Sequence, residues 1–509
     1  MIALLTILVY FAALFALSRL TAGRGSDNDT FFRAGRRSPW LMVAFGMVGA
    51  SISGVTFVSV PGMVLTGGMT YLQLCMGFIL GYAAVAFVLL PVYYRLNLTS
   101  IYAYLGGRLG RRSRLSGAWF FLLSKLVGSA VKFYVVCMIL QQFAFDGLGV
   151  PFWLNVVVMA ALIWLYTRRG GVRTLVFTDV MQTACLFAAL LLIIYMVMRQ
   201  LGFSPAEALR SVMADERSRV FVFDDWTSPG YFWKQLLSGA FVVVVMTGLD
   251  QDMMQKNLTC RSLREAQKDM CSYGLAFLPA NFLFLALGVL LAQWLQAGGQ
   301  PLPLQGDSLL PLFVERAGPG VTALFTLGIV AASFSSADSA LTSLTTCYCV
   351  DIRQRPADER LRKRTHLAMC LLFAVCILLF RIVNSTSLID AIYTIVGYTY
   401  GPLLGLFAFG LFTGRGVRDR YVPLVCIVSP LLSYAADRVA LSLWGYHFGY
   451  ELLLLNGLIT FVGLCVLSHG RDGGRRCSCD RWPDRQAAHR DLRAGASSQP
   501  PCQGTSQSE

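Results

Sequence analysis

Hydrophobic residues along this chain gather in long runs separated by short polar stretches. Runs of spanning length fall near residues 1–20, 39–65, 70–94, 116–143, 150–166, 177–198, 231–256, 271–296, 320–350, 365–384, 388–412, 421–440 and 449–468. Each is long enough for a hydrocarbon core of ~30 Å, so the pattern predicts about thirteen transmembrane helices. The first run lacks a positively charged start and a small-residue cleavage site, and reads as a spanning helix rather than a signal peptide. Two runs have interrupted helical composition. Residues 46–68 contain Gly46, Gly49, Gly54, Pro61, Gly62, Gly67 and Gly68; residues 239–252 contain Gly239 and then Thr247-Gly248-Leu249-Asp250-Gln251-Asp252. Broken helices survive in a bilayer only where the freed backbone lines a protected cavity. These are the second and seventh runs, a separation of five that fits equivalent helices of two inverted five-helix repeats.

Composition agrees with this pattern. Of 509 residues, 56% are hydrophobic and 14% charged, with a mean hydropathy of +0.59. That excludes an ordinary soluble globule. The formal charge of +15 would suit a nucleic-acid binder, but the basic residues lie in short loops between apolar runs and form no continuous face. They also alternate. One set of loops carries Arg24, Arg33, Arg36 and Arg37; Arg95, Arg108, Arg111, Arg112 and Arg114; Arg168, Arg169 and Arg173; Lys256, Arg261, Arg264 and Lys268; Arg353 to Arg364; and Arg415, Arg418 and Arg420. The other set is poor in them, apart from the mixed-charge segment 199–230. By the positive-inside rule the N-terminus lies outside and the C-terminus in the cytoplasm. Residues 470–509 turn polar and read as a disordered cytoplasmic tail.

Enzymatic constellations are missing from the sequence. Four dispersed histidines, no HExxH, no phosphate-binding loop and no ligand-spaced cysteines give neither a catalytic site nor an ATP-driven pump. The fourteen cysteines read as small packing residues, with Cys477-Ser-Cys479 a faint metal hint. What stands out is Ala331 to Ser343, where six hydroxyls and Asp338 lie inside an apolar run. Polar groups at bilayer depth are costly without partners and mark a site by default. Hydroxyl and carbonyl oxygens without soft donors suit a small hard cation such as sodium. Ser335 and Ser336 point about 100° apart on a helix, so they share an ion only if a facing backbone supplies further oxygens. The interrupted second run offers such carbonyls around Gly49–Ser53. The alternative is that these serines bond to carbonyls one turn back.

Four fragments then resemble the sodium:solute symporter family, which includes sodium/glucose, proline, pantothenate and sialic acid carriers. They are Gly49-Ala50-Ser51-Ile52-Ser53; Gly170-Gly171-Val172-Arg173 with Phe177-Thr178-Asp179-Val180-Met181-Gln182; Gly248 to Lys256; and Ala332-Ser333-Phe334-Ser335-Ser336. The resemblance runs over about residues 1–468. It implies an all-α polytopic membrane protein with a LeuT-like inverted 5+5 repeat, one extra N-terminal helix and two extra C-terminal helices. The corresponding division is 1–20, repeats 39–198 and 231–412, the extracytoplasmic loop 199–230, helices 421–468 and the tail 470–509. It further implies a sodium site built from the carbonyls of Gly49, Ile52 and Ala332 and the hydroxyls of Ser335 and Ser336. Gly397 to Gly405 resembles a gate helix that bends on closure, although its Gly and Pro can equally serve close packing.

Solute contacts are less defined. By resemblance, Ser51, Ser53 and Thr56 are hydroxyl positions facing solute, and Tyr71, Gln73, Asp250 and Gln251 add donors and acceptors. Lys125 and Lys132 lie on one helix face, two turns apart; either can meet a substrate carboxylate, or snorkel, or pair with Asp179, Asp250 or Asp338. Asp179, Asp338 and Ser339 border a second cation site or sodium exit path, or else form buried salt bridges. The function expected is sodium-coupled import of a small organic solute (a sugar, sugar acid, amino acid or monocarboxylate) across the cell (inner) membrane by alternating access. A channel or a sodium-dependent sensor on the same scaffold is the alternative. A potential of about 100 mV adds ~2.3 kcal/mol per inward charge.

Overall fold

The computed structural model describes residues 2–21, 28–224, 226, 228, 230–383, 388–446 and 448–469. The expected tail, 470–509, and Cys477-Ser-Cys479 lie outside the described residues. Helices lie over all the predicted apolar runs, and the described β structure is one two-residue antiparallel pair, Gly416–Val417 with Ser468–His469, and an isolated bridge between Ser38 and Cys260. Eight described helices are long and apolar enough to cross a membrane, or ten if each of two bent pairs is one span. A large apolar core is buried as in a soluble protein, but the surface differs. Leu8, Phe87, Leu191, Leu371 and Leu431 are exposed, whereas Asp179, Asp250, Asp338, Lys256 and many hydroxyls are buried. That is the distribution lipid demands, with apolar surface outward and polar groups partnered inside.

Both expected interruptions occur, but not at the glycines that signalled them. The first pair, Trp40–Ser51 and Gly54–Gly67, bends by 62° at Ile52–Ser53; the second, Phe232–Gly248 and Gln251–Asn257, bends by 70° at Leu249–Asp250. Pro61 stays inside a helix. The neighbouring glycines serve close approach instead: a Cβ on Gly62 would stand 2.1 Å from the Gly306 carbonyl oxygen, and one on Gly239 would stand 2.2 Å from that of Leu74. The predicted fifth and sixth runs are joined without a loop, because Gly171 (φ 51°, ψ −141°) turns the Phe152–Leu201 helix in one residue. Its positive φ favours glycine. The Leu388–Phe412 helix keeps Pro402 in its interior.

On the side of the basic loops, polar side chains knot the bundle. Asp351 is buried and accepts from Ser100 Oγ (2.5 Å) and Arg114 Nε (2.9 Å), while Arg114 Nη2 donates to the Val350 carbonyl (2.9 Å). Gln251 accepts from the Ile101 amide (2.9 Å) and donates to the Thr99 carbonyl (3.1 Å). On the opposite side the segment after Leu201 is ordered around the helix Pro205–Ala214. Ser204 caps that helix, and its backbone and side-chain hydrogen bonds hold the Glu207 carboxyl below its ordinary range.

Candidate functional site

The first break is made by the chain's own polar groups. Ile52 (φ −81°, ψ 98°) and Ser53 (φ −86°, ψ 172°) are extended. The Ser53 amide donates to Thr56 Oγ1 (3.3 Å), so it is withdrawn from the Gly49 carbonyl it would meet in a continuous helix. No described side chain donates to the Gly49 or Ile52 carbonyls. The helix Pro319–Cys347 crosses this break, and its adjacent serines diverge as helical geometry requires. Ser336 Oγ donates to the Ala50 carbonyl (2.8 Å) and contacts its own Ala332 carbonyl (3.3 Å). Ser335 Oγ instead donates to Asp179 Oδ1 (2.6 Å). Ser336 is therefore brought to the broken segment at Ala50, with the Ala332 carbonyl also within its reach, whereas Ser335 is turned to Asp179. Gly49 allows the Phe152–Leu201 helix to approach the same segment: a Cβ there would lie 1.9 Å from Thr183 Oγ1.

Behind the serines lies a charged layer. Asp179 Oδ2 is 2.8 Å from Lys256 Nζ, both side chains being at most 3% exposed. Asp338 accepts from the Tyr166 hydroxyl (2.6 Å), and Ser339 Oγ lies 3.4 Å from its other oxygen. A buried pair of this type is costly to break from one side only.

The second break opens onto a cavity of about 140 Å³. The extended Asp250 (φ −99°, ψ 118°) turns its carboxylate into that space. Lys125 sits between two acids, 3.0 Å from Asp250 Oδ2 and 2.7 Å from Asp252 Oδ2. The Tyr400 hydroxyl also donates to Asp250 Oδ2, at 2.8 Å. Here the backbone has donors already: Tyr93 bonds the Gly248 carbonyl and Tyr102 the Leu249 carbonyl, each at 2.9 Å. Lys132 lines the same cavity, and among the described residues no ion pair or hydrogen bond engages its ammonium. Ser51, Ser53, Thr56 and Tyr71 line the cavity too, and Ser51 is hydrogen-bonded to Tyr273.

Two residues expected at this space stand elsewhere. Gln73 bonds the Gly230 carbonyl (2.9 Å) and the Val222 amide (3.2 Å), which ties down the segment after Leu201. Gln251 belongs to the knot on the basic side. Sequence reasoning gave no site role to Tyr82, Tyr273, Thr247, Asp252 or Tyr400, all of which line the cavity, or to Lys256. Asp252 and Lys256 carried a signal, being charges inside an apolar run. The tyrosines carried none, since an aromatic ring in a span looks like packing.

Comparison with known proteins places this geometry. The sodium:solute symporter family model matches residues 31–418. The chain is 27% identical over 477 residues to the sodium/sialic acid symporter NanT of Aliivibrio fischeri, covering 90% of this chain and 92% of that one. It is 26% identical over 445 residues to the sodium/iodide cotransporter of Homo sapiens, covering 84% of this chain and 66% of that one. A solved structure of a Na+-coupled sialic acid symporter in a substrate-bound, outward-open state has the same fold, with a TM-score of 0.78 at 21% identity, over 95% of this chain and 98% of that one.

Proposed function

The chain belongs to the sodium:solute symporter family and is a multi-pass, sodium-coupled symporter of a small organic solute; from that premise we propose that its solute is an organic anion whose carboxylate meets Lys132. One observation carries this reading. Of the two lysines in the cavity, Lys125 is held by Asp250 and Asp252, whereas Lys132 is left without a counterion. An ammonium facing a partly enclosed cavity without a counterion is costly, and an incoming carboxylate removes that cost. The names of the relatives agree, one being a sialic acid symporter and the other an iodide cotransporter.

Sodium, in this proposal, binds the carbonyls of Gly49, Ile52 and Ala332 and the hydroxyls of Ser335 and Ser336. To do so Ser336 turns from the Ala50 carbonyl to the ion, and Ser335 keeps Asp179 as a neighbour. Coupling follows from shared backbone. The segment Gly49–Ser53 presents carbonyls to the ion and the Ser51 and Ser53 side chains to the solute, so ordering it for one ligand lowers the cost of binding the other, reciprocally. The two bent pairs, five spans apart, support the assignment of 39–198 and 231–412 as the inverted repeats. Loop charge supports a cell (inner) membrane protein with its N-terminus outside and its C-terminus in the cytoplasm.

The test is thermal stability of the purified protein in sodium or potassium with sialic acid, pyruvate, proline and glucose added, on wild type and Lys132→Met. An acid should raise the midpoint only in sodium, and Lys132→Met should weaken that acid's apparent affinity about 10–100-fold, the range of a charged hydrogen bond. A sodium-dependent shift with glucose or proline alone, unaffected by Lys132→Met, would sink the anion reading.

A further inference from the structure

Pro402 has no amide hydrogen, so inside the Leu388–Phe412 helix the carbonyl four residues earlier, that of Tyr398, loses its helical donor. The donor arrives from another helix. Asn456, buried on Leu452–Val466, places Nδ2 at 2.9 Å from the Tyr398 carbonyl and 2.9 Å from that of Gly397. Its Oδ1 accepts from Ser429 Oγ (2.6 Å), and Ser429 accepts in turn from Thr460 Oγ1 (2.7 Å). The amide is thus held one way round, with its hydrogens on the proline-bearing helix. Gly401 makes the approach possible, since a Cβ there would fall 2.3 Å from Asn456 Cγ. Two residues past the bonded Tyr398 carbonyl comes Tyr400, whose hydroxyl reaches Asp250 in the cavity.

We propose that Asn456 is a positioning residue for the solute cavity. It supplies the hydrogen bond that Pro402 withholds and so fixes the helix segment that carries Tyr400 to Asp250. The last two helices, outside both repeats, then act on the cavity through one amide. The proposal rests on this cavity being the solute site. Its test needs no solute, so failure of one reading is distinguishable from failure of the other.

Access to the cavity is read as the rate of maleimide labelling at Ser129→Cys, quantified at that residue by peptide mass spectrometry. In sodium without solute, Asn456→Leu should label about tenfold faster, the scale of one lost buried hydrogen bond. Tyr400→Phe should accelerate labelling similarly, and the double variant should be no faster than the faster single one, because both break one connection. Pro402→Ala in the Asn456→Leu background returns an amide hydrogen to the Tyr398 carbonyl and should bring the rate back toward wild type. A general packing defect would not be rescued in this way. Should Asn456→Leu fail to fold, Ser429→Ala, which only frees the amide to rotate, enters the same cycle with Tyr400→Phe. An unchanged rate in the Asn456 or Ser429 variant, or increases that multiply with Tyr400→Phe, overturns the proposal.

Discussion

The two broken helices solve the same backbone problem in opposite ways. At Ile52–Ser53 the break is lined by neutral oxygens, and the Gly49 and Ile52 carbonyls receive no side-chain donor. At Leu249–Asp250 the adjacent carbonyls are taken by Tyr93 and Tyr102, and the space beyond holds four ionisable groups, Lys125, Asp250 and Asp252 in one cluster and Lys132 apart from it. An unanswered carbonyl is an invitation to a cation; an answered one leaves a rigid frame for charged side chains. The difference teaches that a break in a spanning helix does not by itself make an ion site. What decides is whether the surrounding side chains have already satisfied the backbone.

Several substitutions set the two breaks against each other. Lys125→Met should have the largest effect, because it leaves Asp250 and Asp252 buried without their common cation. A loss of about 3–5 kcal/mol is expected, read as a fall in the thermal midpoint in both sodium and potassium. An unchanged midpoint would mean that the trio is not charged in the folded protein. Next comes Ser335→Ala with Ser336→Ala. Basal stability should fall by about 1–3 kcal/mol in sodium and potassium alike, because buried Asp179 loses a donor, and beyond that the extra stability given by sodium, about 2.7 kcal/mol at a hundred times its dissociation constant, should vanish. Retention of the sodium-specific shift would place the ion elsewhere. Smallest is Tyr102→Phe, which uncovers the Leu249 carbonyl and should cost about 1 kcal/mol; a variant as stable as wild type would show that the second break does not depend on this donor.

The fold was legible in the apolar runs and in the family resemblance, and the residues proposed for sodium were singled out by their polarity. In a chain that is 56% hydrophobic, polar residues inside apolar runs stand out, and Ser335, Ser336 and Asp179 stand out most. The breaks were legible to within the segments Gly49–Ser53 and Thr247–Asp252, but not to the residue. Gly62 and Gly239 looked like helix breakers, but their role is to let backbones touch, a fact that depends on which helices are neighbours. Tyr82, Tyr273 and Tyr400 were hidden by their rings, whose apolar bodies match the span while only one oxygen reaches the cavity. Gln73 and Gln251 illustrate the reverse error: each is polar, buried and close to a break, yet each is consumed by loop backbone.

The knot around Asp351 has a consequence for how the basic side gives way. Ser100 and Arg114 hold that carboxylate with directed hydrogen bonds, and Gln251 pins the loop beside it. A plug of leucines would repel water until it had moved wholly aside. The knot consists of donors and acceptors, each of which water can replace one for one, at a net difference of about 0.5–1.5 kcal/mol for the neutral bonds and about 1.5–3 kcal/mol for those to the Asp351 carboxylate. Any opening of this knot would therefore be a wetting event, in which the first water molecules to enter take over the bonds that kept them out.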